Sequence, residues 1–225
     1  SALKKVFCRI PFNEYHIYRD GFVSNCCFNW LPTEIGNIHT ETILQMMQNE
    51  SSKKIQASVT NGTYKYCSTE YCPHLNQYLH NDPIAWPLEK IEQLEHEKKF
   101  GTISNYVKLF LSFDYSCNLF CESCRNEKIF FDRRTASPLL LKTYENVYSQ
   151  ICELLEKDYS VHVNITGSGD AFASPLYYDL MNQLPDHPKL ELHLSTNGIM
   201  MTEKKLTGPF TNKIKQIFVS ADSCR

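Results

Sequence analysis

From residue 105 onward, short apolar runs alternate with longer stretches of helical periodicity. The runs at 106–113, 161–165, 190–194 and 216–220 have the length and β-branched or aromatic content of strands. The first, Val107-Lys108-Leu109-Phe110-Leu111-Ser112-Phe113, reads as a buried strand. Between the runs lie helix signals. Ser137-Pro138 is a cap and first-turn pair, and predicts a helix from there or from Thr143 to about residue 157. Ser174-Pro175 opens a second, to about residue 184, and Thr202 starts a third that Gly208-Pro209 breaks. Repeated strand–helix–strand order predicts a parallel sheet or barrel with right-handed crossovers. Ligands in such folds bind at the carboxyl ends of the strands.

Upstream the pattern is different. Residues 15–24 hold two short alternating runs around Asp20-Gly21, a hairpin signal because glycine accepts the positive φ of a tight turn. The second run ends at Cys26-Cys27, and the fold-back can bring Cys8 close to Cys26. Residues 30–37 read as a loop. Short helices are predicted at 40–47 and 52–59, the latter stopped by Asn61-Gly62. The segment 66–73 then delivers Cys67 and Cys72. The stretch 76–104, with Pro83, Pro87 and a charged run over 89–99, reads as a linker with one surface helix. The expected organisation is a small metal-binding α+β module over 1–80, the linker over 81–104 and an α/β domain over 105–225.

Composition narrows the function. With 42% hydrophobic and 21% charged residues this is an ordinary globular composition. A formal net charge of -2 gives no bulk reason to expect nucleic acid or an acidic membrane surface as partner. No uncharged apolar run approaches a membrane span, and the first residues lack the apolar core of a signal peptide. A cytoplasmic location is therefore expected. The ten cysteines fall in clusters, which in a reducing compartment argues for metal binding over disulfides.

Cys117, Cys121 and Cys124 stand at spacing C-x3-C-x2-C directly after the first strand. Three thiolates on one short loop can hold three corners of a cubane iron–sulfur cluster and leave one iron open to a small molecule. The later strands are followed by Thr166-Gly167-Ser168-Gly169-Asp170, by Asn197-Gly198 after Ser195-Thr196, and by Ser220-Ala221-Asp222. Each alone is an ordinary turn composition. All four segments at one end of one sheet point to a shared site. Gly167 and Gly169 would let the backbone approach a ligand without Cβ atoms in the way, so that its amides and carbonyls could pair with an amino acid's ammonium and carboxylate. Asn197, Ser220 and Asp222 could hydrogen-bond ribose hydroxyls. Asp170 and Asp222 are given binding roles before acid–base ones, and no catalytic residue is assigned.

On these residues the second half resembles the radical S-adenosylmethionine (radical SAM) enzymes, whose signature is C-x3-C-x2-C after the first strand of a partial (β/α)6 barrel. The resemblance implies that Cys117, Cys121 and Cys124 ligate a [4Fe-4S] cluster whose fourth iron is chelated by the amino and carboxylate groups of S-adenosylmethionine. Gly167-Ser168-Gly169-Asp170 looks like the family's Gly-Gly-Glu segment, which contacts the SAM ammonium. Two departures are the absence of an aromatic residue at Ser123 and the replacement of Gly-Gly-Glu by a sequence with Ser168 and Asp170. The implied activity is reductive cleavage of SAM to a 5′-deoxyadenosyl radical that abstracts hydrogen from a substrate, fed by a reductant such as flavodoxin or ferredoxin. Only about four of the six β/α units are visible, so the chain is expected to be part of a longer protein.

The first half resembles the SPASM/twitch auxiliary iron–sulfur modules of such enzymes, on Cys8, Gly21-x4-Cys26, Cys67 and Cys72. The resemblance implies a second, closed cluster, placed before the barrel where the module usually follows it. Such modules often accompany enzymes that modify peptides or proteins, which leans the substrate toward a peptide. Cys27 competes with Cys26 as ligand, although strand alternation aims the two at opposite faces. Zinc on the same four thiolates stays open. The different-class alternative is a non-catalytic iron–sulfur or zinc-binding interaction protein on the same scaffold. Cys152 and Cys224 read as packing residues or free thiols. Tyr64, Tyr66 and Tyr71 are expected to pack around the metal, and Arg125 either faces a substrate carboxylate or caps the cysteine loop. The eight histidines show no ligand spacing, and His74, His162 and His193 read as packed or surface residues.

Overall fold

The computed structural model describes residues 7–80, 105–122, 124–165 and 168–220. The linker helix expected within 81–104, and the site candidates Gly167 and Asp222 with Cys224, lie outside the described residues. The chain forms two compact units, one of Ser1–His16 and Phe22–Val107, the other of Ile17–Gly21 and Lys108–Arg225.

The first unit holds α1 (Ile10–Asn13), β1 (Glu14–Tyr18, its last two residues in the second unit), β2 (Phe22–Ser24), β3 (Gly36–Asn37), α2 (Ile43–Gln48), α3 (Glu50–Thr60) and α4 (Pro73–His80). Its strands run in the order β3-β2-β1. The hairpin turn closes where Gly21 N donates to Tyr18 O at 2.9 Å, with Gly21 at φ +79°. β2 and β3 pair antiparallel, Val23 opposite Gly36. Helix α2 starts on a full capping box, Thr42 accepting from Gln45 N while Gln45 Oε1 accepts from Thr42 N. Helix α3 starts where Asn49 Oδ1 accepts from Ser52 N. A core of Phe7, Phe12, Val59, Tyr64, Cys72 and Leu75 closes the unit. Two helices escaped the sequence reading. Four residues are too few for α1 to show a helical period. Pro73, read as the end of the cysteine segment, is the first residue of α4, where its missing N–H costs nothing.

The second unit carries β4 (Tyr106–Ser112), α5 (Pro138–Glu156), β5 (Ser160–Ile165), α6 (Pro175–Gln183), β6 (Leu190–Thr196) and β7 (Ile214–Val219). Within the second unit the strand order is β4-β5-β6-β7, linear and not closed into a barrel among the described residues. β5 and β6 pair in parallel from Val161–Leu190 to Ile165–Leu194, and β6 and β7 pair in parallel with a register shift between Leu192 and His193. Ser137 and Ser174 cap α5 and α6, accepting from Leu140 N and Tyr177 N. The expected third helix is instead two short 3-10 turns, Glu203–Thr207 and Thr211–Lys213. The chain is pressed tight between them: a Cβ on Gly208 would stand 2.5 Å from Phe210 Cε1 and 2.7 Å from Asn182 Oδ1. Pro209 follows and prevents continuation. β4 is buried on one face only, through Val107, Leu109 and Leu111, while Tyr106, Lys108, Phe110 and Ser112 stay half-buried. The strand expected from this apolar run thus forms, with one face buried. Among the described residues no helix is long and apolar enough to cross a membrane.

Candidate metal centres

The three-cysteine loop leaves the carboxyl end of β4 through Phe113-Asp114-Tyr115-Ser116. Asp114 is fully buried and organises the turn. Its Oδ1 accepts from Ser116 N at 2.9 Å and Ser116 Oγ at 2.8 Å, and its Oδ2 accepts from Ser174 Oγ at the start of α6. Asp114 N donates to the Tyr177 hydroxyl, which donates to Leu111 O. Burial pushes the Asp114 carboxyl above the ordinary carboxylate range, and the hydrogen bonds from Ser174 and Ser116 oppose that rise. Ser116 Oγ in turn accepts from Phe131 N, and Cys117 N donates to Ile129 O at 2.8 Å, so the far side of the loop is pinned too.

Cys117 is buried, whereas Cys121 and Cys124 are exposed on a turn in which Cys124 N and Arg125 N both donate to Cys121 O. Arg125 straps the loop. Its guanidinium donates to Tyr115 O and Ser168 O and lies 3.5 Å from Cys124 Sγ. Of the two roles open from sequence, capping is the one its bonds fulfil.

The segments after β5 and β6 fold onto this loop. Ser168 Oγ donates to Ser112 O. A Cβ on Gly169 would lie 2.7 Å from both Asp114 O and Ser116 O, so the glycine admits the cysteine loop's own backbone rather than a ligand. Asp170 is buried, with Oδ1 accepting from Phe172 N and Ala173 N, and Oδ2 from Thr196 Oγ1 and Asn197 N. Those four donors fill the acceptor sites of a carboxylate. Asp170 therefore ties the segment after β5 to the segment after β6.

Asn197 Nδ2 donates to Asn118 Oδ1 at 2.9 Å and stands 3.8 Å from Cys117 Sγ, while its Oδ1 accepts from Ile199 N. Its amide thus faces the Cys117 sulfur. Ser220 is exposed at the end of β7, its N–H donating to Thr196 O. Asp114 and Ser116 were absent from the sequence reading, which took Ser174 only as a helix start. Asp114-Tyr115-Ser116 carried a usable signal, since an aspartate accepting from the N–H two residues on is a common turn device.

In the first unit, Cys8, Cys26, Cys67 and Cys72 come together around the core of Phe12, Tyr64 and Leu75. Burial pushes the Cys8 and Cys67 thiols up to about 12, with neighbouring thiols adding to the rise, while the Ile10 amide opposes it at Cys8. Cys26 rises as well, through burial and then through Cys8, Cys72 and Cys67. Cys27 is only half-buried, and its carbonyl accepts from Trp30 N and Leu31 N, turning the chain after β2. Cys26, not Cys27, thus joins the thiol group.

Cys67 is delivered by a turn in which Tyr64 takes φ +48° and its carbonyl accepts from Cys67 N. Burial of the Tyr64 ring compensates that uncommon backbone conformation. Tyr64 packs beside Cys67 and Cys72 as expected, whereas Tyr71 is exposed.

Residues 8–73 match the family model of SPASM, an iron-sulfur cluster-binding domain. The first unit thus contains an iron–sulfur cluster-binding domain, of a kind that occurs in radical SAM enzymes. No curated protein and no solved structure matches the chain.

Proposed function

We propose that the chain is the cluster-bearing part of a radical SAM enzyme with an auxiliary iron–sulfur domain, acting on a peptide substrate. The observation that carries the reading is the position of the C-x3-C-x2-C loop at the carboxyl end of β4, with the segments after β5 and β6 folded against it. The SPASM match over residues 8–73 supports the same context.

Cys117, Cys121 and Cys124 would hold a [4Fe-4S] cluster, and Cys8, Cys26, Cys67 and Cys72 a second, closed one. When bound and reduced, the first cluster supplies the electron that breaks the sulfonium C–S bond of SAM to give a 5′-deoxyadenosyl radical. The protein's own share is positional. Asp114, Gly169 and Arg125 hold the loop in shape, and the Asn197 amide offers an N–H to Cys117 sulfur, a contact that tunes a cluster's potential. Cys121 and Cys124 are exposed, so a cluster held there would be open to a small molecule.

The test is anaerobic reconstitution with iron and sulfide, then dithionite and SAM, with 5′-deoxyadenosine as readout. Product is expected from the native chain. A Cys117→Ala, Cys121→Ala, Cys124→Ala variant should make none while keeping the absorption of the first unit's cluster. Absence of product from the full-length protein, with an iron content that accounts for both clusters, overturns the reading in favour of a non-catalytic iron–sulfur protein.

A further inference from the structure

The sheet of the second unit carries a second constellation of ligand-type side chains, independent of every cysteine. His162 is the third residue of β5, and Glu191 and His193 are the second and fourth of β6. Parallel register sets His162 opposite Glu191 and Asn164 opposite His193. Alternation puts these four on one face, since Val161, Val163, Leu190, Leu192 and Leu194 bury the other. The sequence reading passed over both histidines because they are 31 positions apart; only strand pairing makes them neighbours.

His162 Nε2 lies 3.2 Å from Glu191 Oε2, and His193 Nε2 lies 3.9 Å from the same oxygen. The imidazole rings are nearly parallel, at 21° with centroids 5.6 Å apart. All three ligand atoms fall within 4.8 Å of one another. We propose that His162 Nε2, His193 Nε2 and Glu191 Oε2 bind one divalent first-row transition ion, with the remaining coordination positions open to solvent.

Bond lengths agree with this. Metal–nitrogen and metal–oxygen bonds of about 2.0–2.2 Å in tetrahedral geometry place ligand atoms about 3.3–3.5 Å apart. The observed separations bracket that range, so small side-chain rotations suffice. A plain Glu191–His162 hydrogen bond explains one contact and leaves the other histidine unexplained. His193 Nε2 is buried with no hydrogen-bond partner. Asn164, itself more than nine-tenths buried and paired in register with His193, also has an Nδ2 without a partner. Buried polar groups left unsatisfied are uncommon. An ion between the two imidazoles would satisfy His193, and a water on that ion would give Asn164 an acceptor.

The surroundings select among ions. Lys215 Nζ lies 3.6 Å from Glu191 Oε1, the oxygen turned away from the histidines, and would steady the carboxylate as an outer partner. A cation so close disfavours Mg2+ and Ca2+, which depend on summed negative charge from several oxygens. It disfavours less an ion held by two imidazoles. Two histidines and one glutamate with an open position is also a donor set of catalytic rather than closed structural sites. The constellation spans the first half of β5 and the second to fourth residues of β6, whereas the cysteine loop leaves the carboxyl end of β4.

The test uses the full chain with both iron–sulfur sites reconstituted anaerobically, titrated with Zn2+ and, for spectroscopy, Co2+. Elemental analysis after gel filtration should find one zinc per native chain beyond the iron complement, and no Mg2+ uptake. His193→Ala should lose that zinc, and Glu191→Gln should weaken it at least tenfold, with iron content unchanged in both. The cobalt adduct should show visible ligand-field bands without the near-ultraviolet sulfur-to-cobalt transitions of a thiolate site. Equal zinc uptake by the native chain and by a His162→Ala, His193→Ala variant overturns the proposal, as do sulfur-to-cobalt bands. If an alanine variant loses iron, the near-isosteric Glu191→Gln decides the matter: unchanged zinc affinity there also overturns it.

Discussion

At the scale of single residues, the cysteine loop depends on groups that never touch the sulfur atoms. Asp170 accepts four hydrogen bonds from two chain segments. Hydrogen bonds to a charged, buried group contribute about 1.5–3 kcal/mol each at most and are not additive, so Asp170→Ala should destabilise the second unit by about 3 kcal/mol or more in denaturant unfolding. Gly169→Ala forces a methyl to within 2.7 Å of two carbonyl oxygens, and backbone cannot rotate away as a side chain can. It should cost about 1–3 kcal/mol and lower iron occupancy of the Cys117 loop, measured as iron per chain in a variant lacking the first unit's four thiols. Both residues were legible as special from the sequence. What stayed hidden was the partner: a Gly-x-Gly-Asp pattern does not distinguish a ligand from the chain's own carbonyls, because that choice is made by contacts about fifty residues away.

At the scale of elements, α5 and α6 begin alike and should respond differently. Each has a serine cap followed by proline, and both starts were readable for that reason. Ser137 accepts from Leu140 N and does nothing further that bears on the site. Ser174 is fully buried, accepts from Tyr177 N and also donates to Asp114 Oδ2. Ser137→Ala should cost about 1 kcal/mol, an ordinary cap loss. Ser174→Ala should cost about 2–3 kcal/mol, because it also strips a donor from a buried carboxylate. Equal losses in thermal or denaturant unfolding would show that the Ser174–Asp114 bond adds nothing. The third crossover was the least legible: Thr202 does cap a turn, but Phe210 and Asn182 crowd Gly208, and such tertiary contacts leave no periodic trace.

At the scale of the whole molecule, the two sets of thiols live in different chemical environments. Cys121 and Cys124 are exposed, whereas Cys8, Cys26 and Cys67 have thiols raised by burial. Thiolate is the reactive form, so iodoacetamide at pH 8 should alkylate the exposed Cys121 and Cys124 of the metal-free chain well before Cys8, Cys26 and Cys67, as read by peptide mass mapping. The same shifts set a pH dependence. In the unfolded chain these thiols ionise near their ordinary value of 9.0, and in the folded metal-free unit Cys8 and Cys67 do so only near 12. Between those values the unfolded state has lost protons that the folded state keeps. Stability of the metal-free first unit is thus fully present below about pH 9 and is lost as pH rises toward 12, which pH-dependent melting would detect. The cysteine spacing foretold both sets of thiols, and the hairpin signal foretold the approach of Cys8 to Cys26. It could not foretell burial, which comes from Phe7, Tyr64 and Leu75 closing over them.

The hydrogen bonds that hold the cysteine loop come from Asp114, Ser116 and Arg125, side chains that need no iron to form them. For the cluster proposed above, the second unit would therefore be a preorganised receptor, whose loading is set by ligand exchange at Cys121 and Cys124 rather than by refolding of the loop.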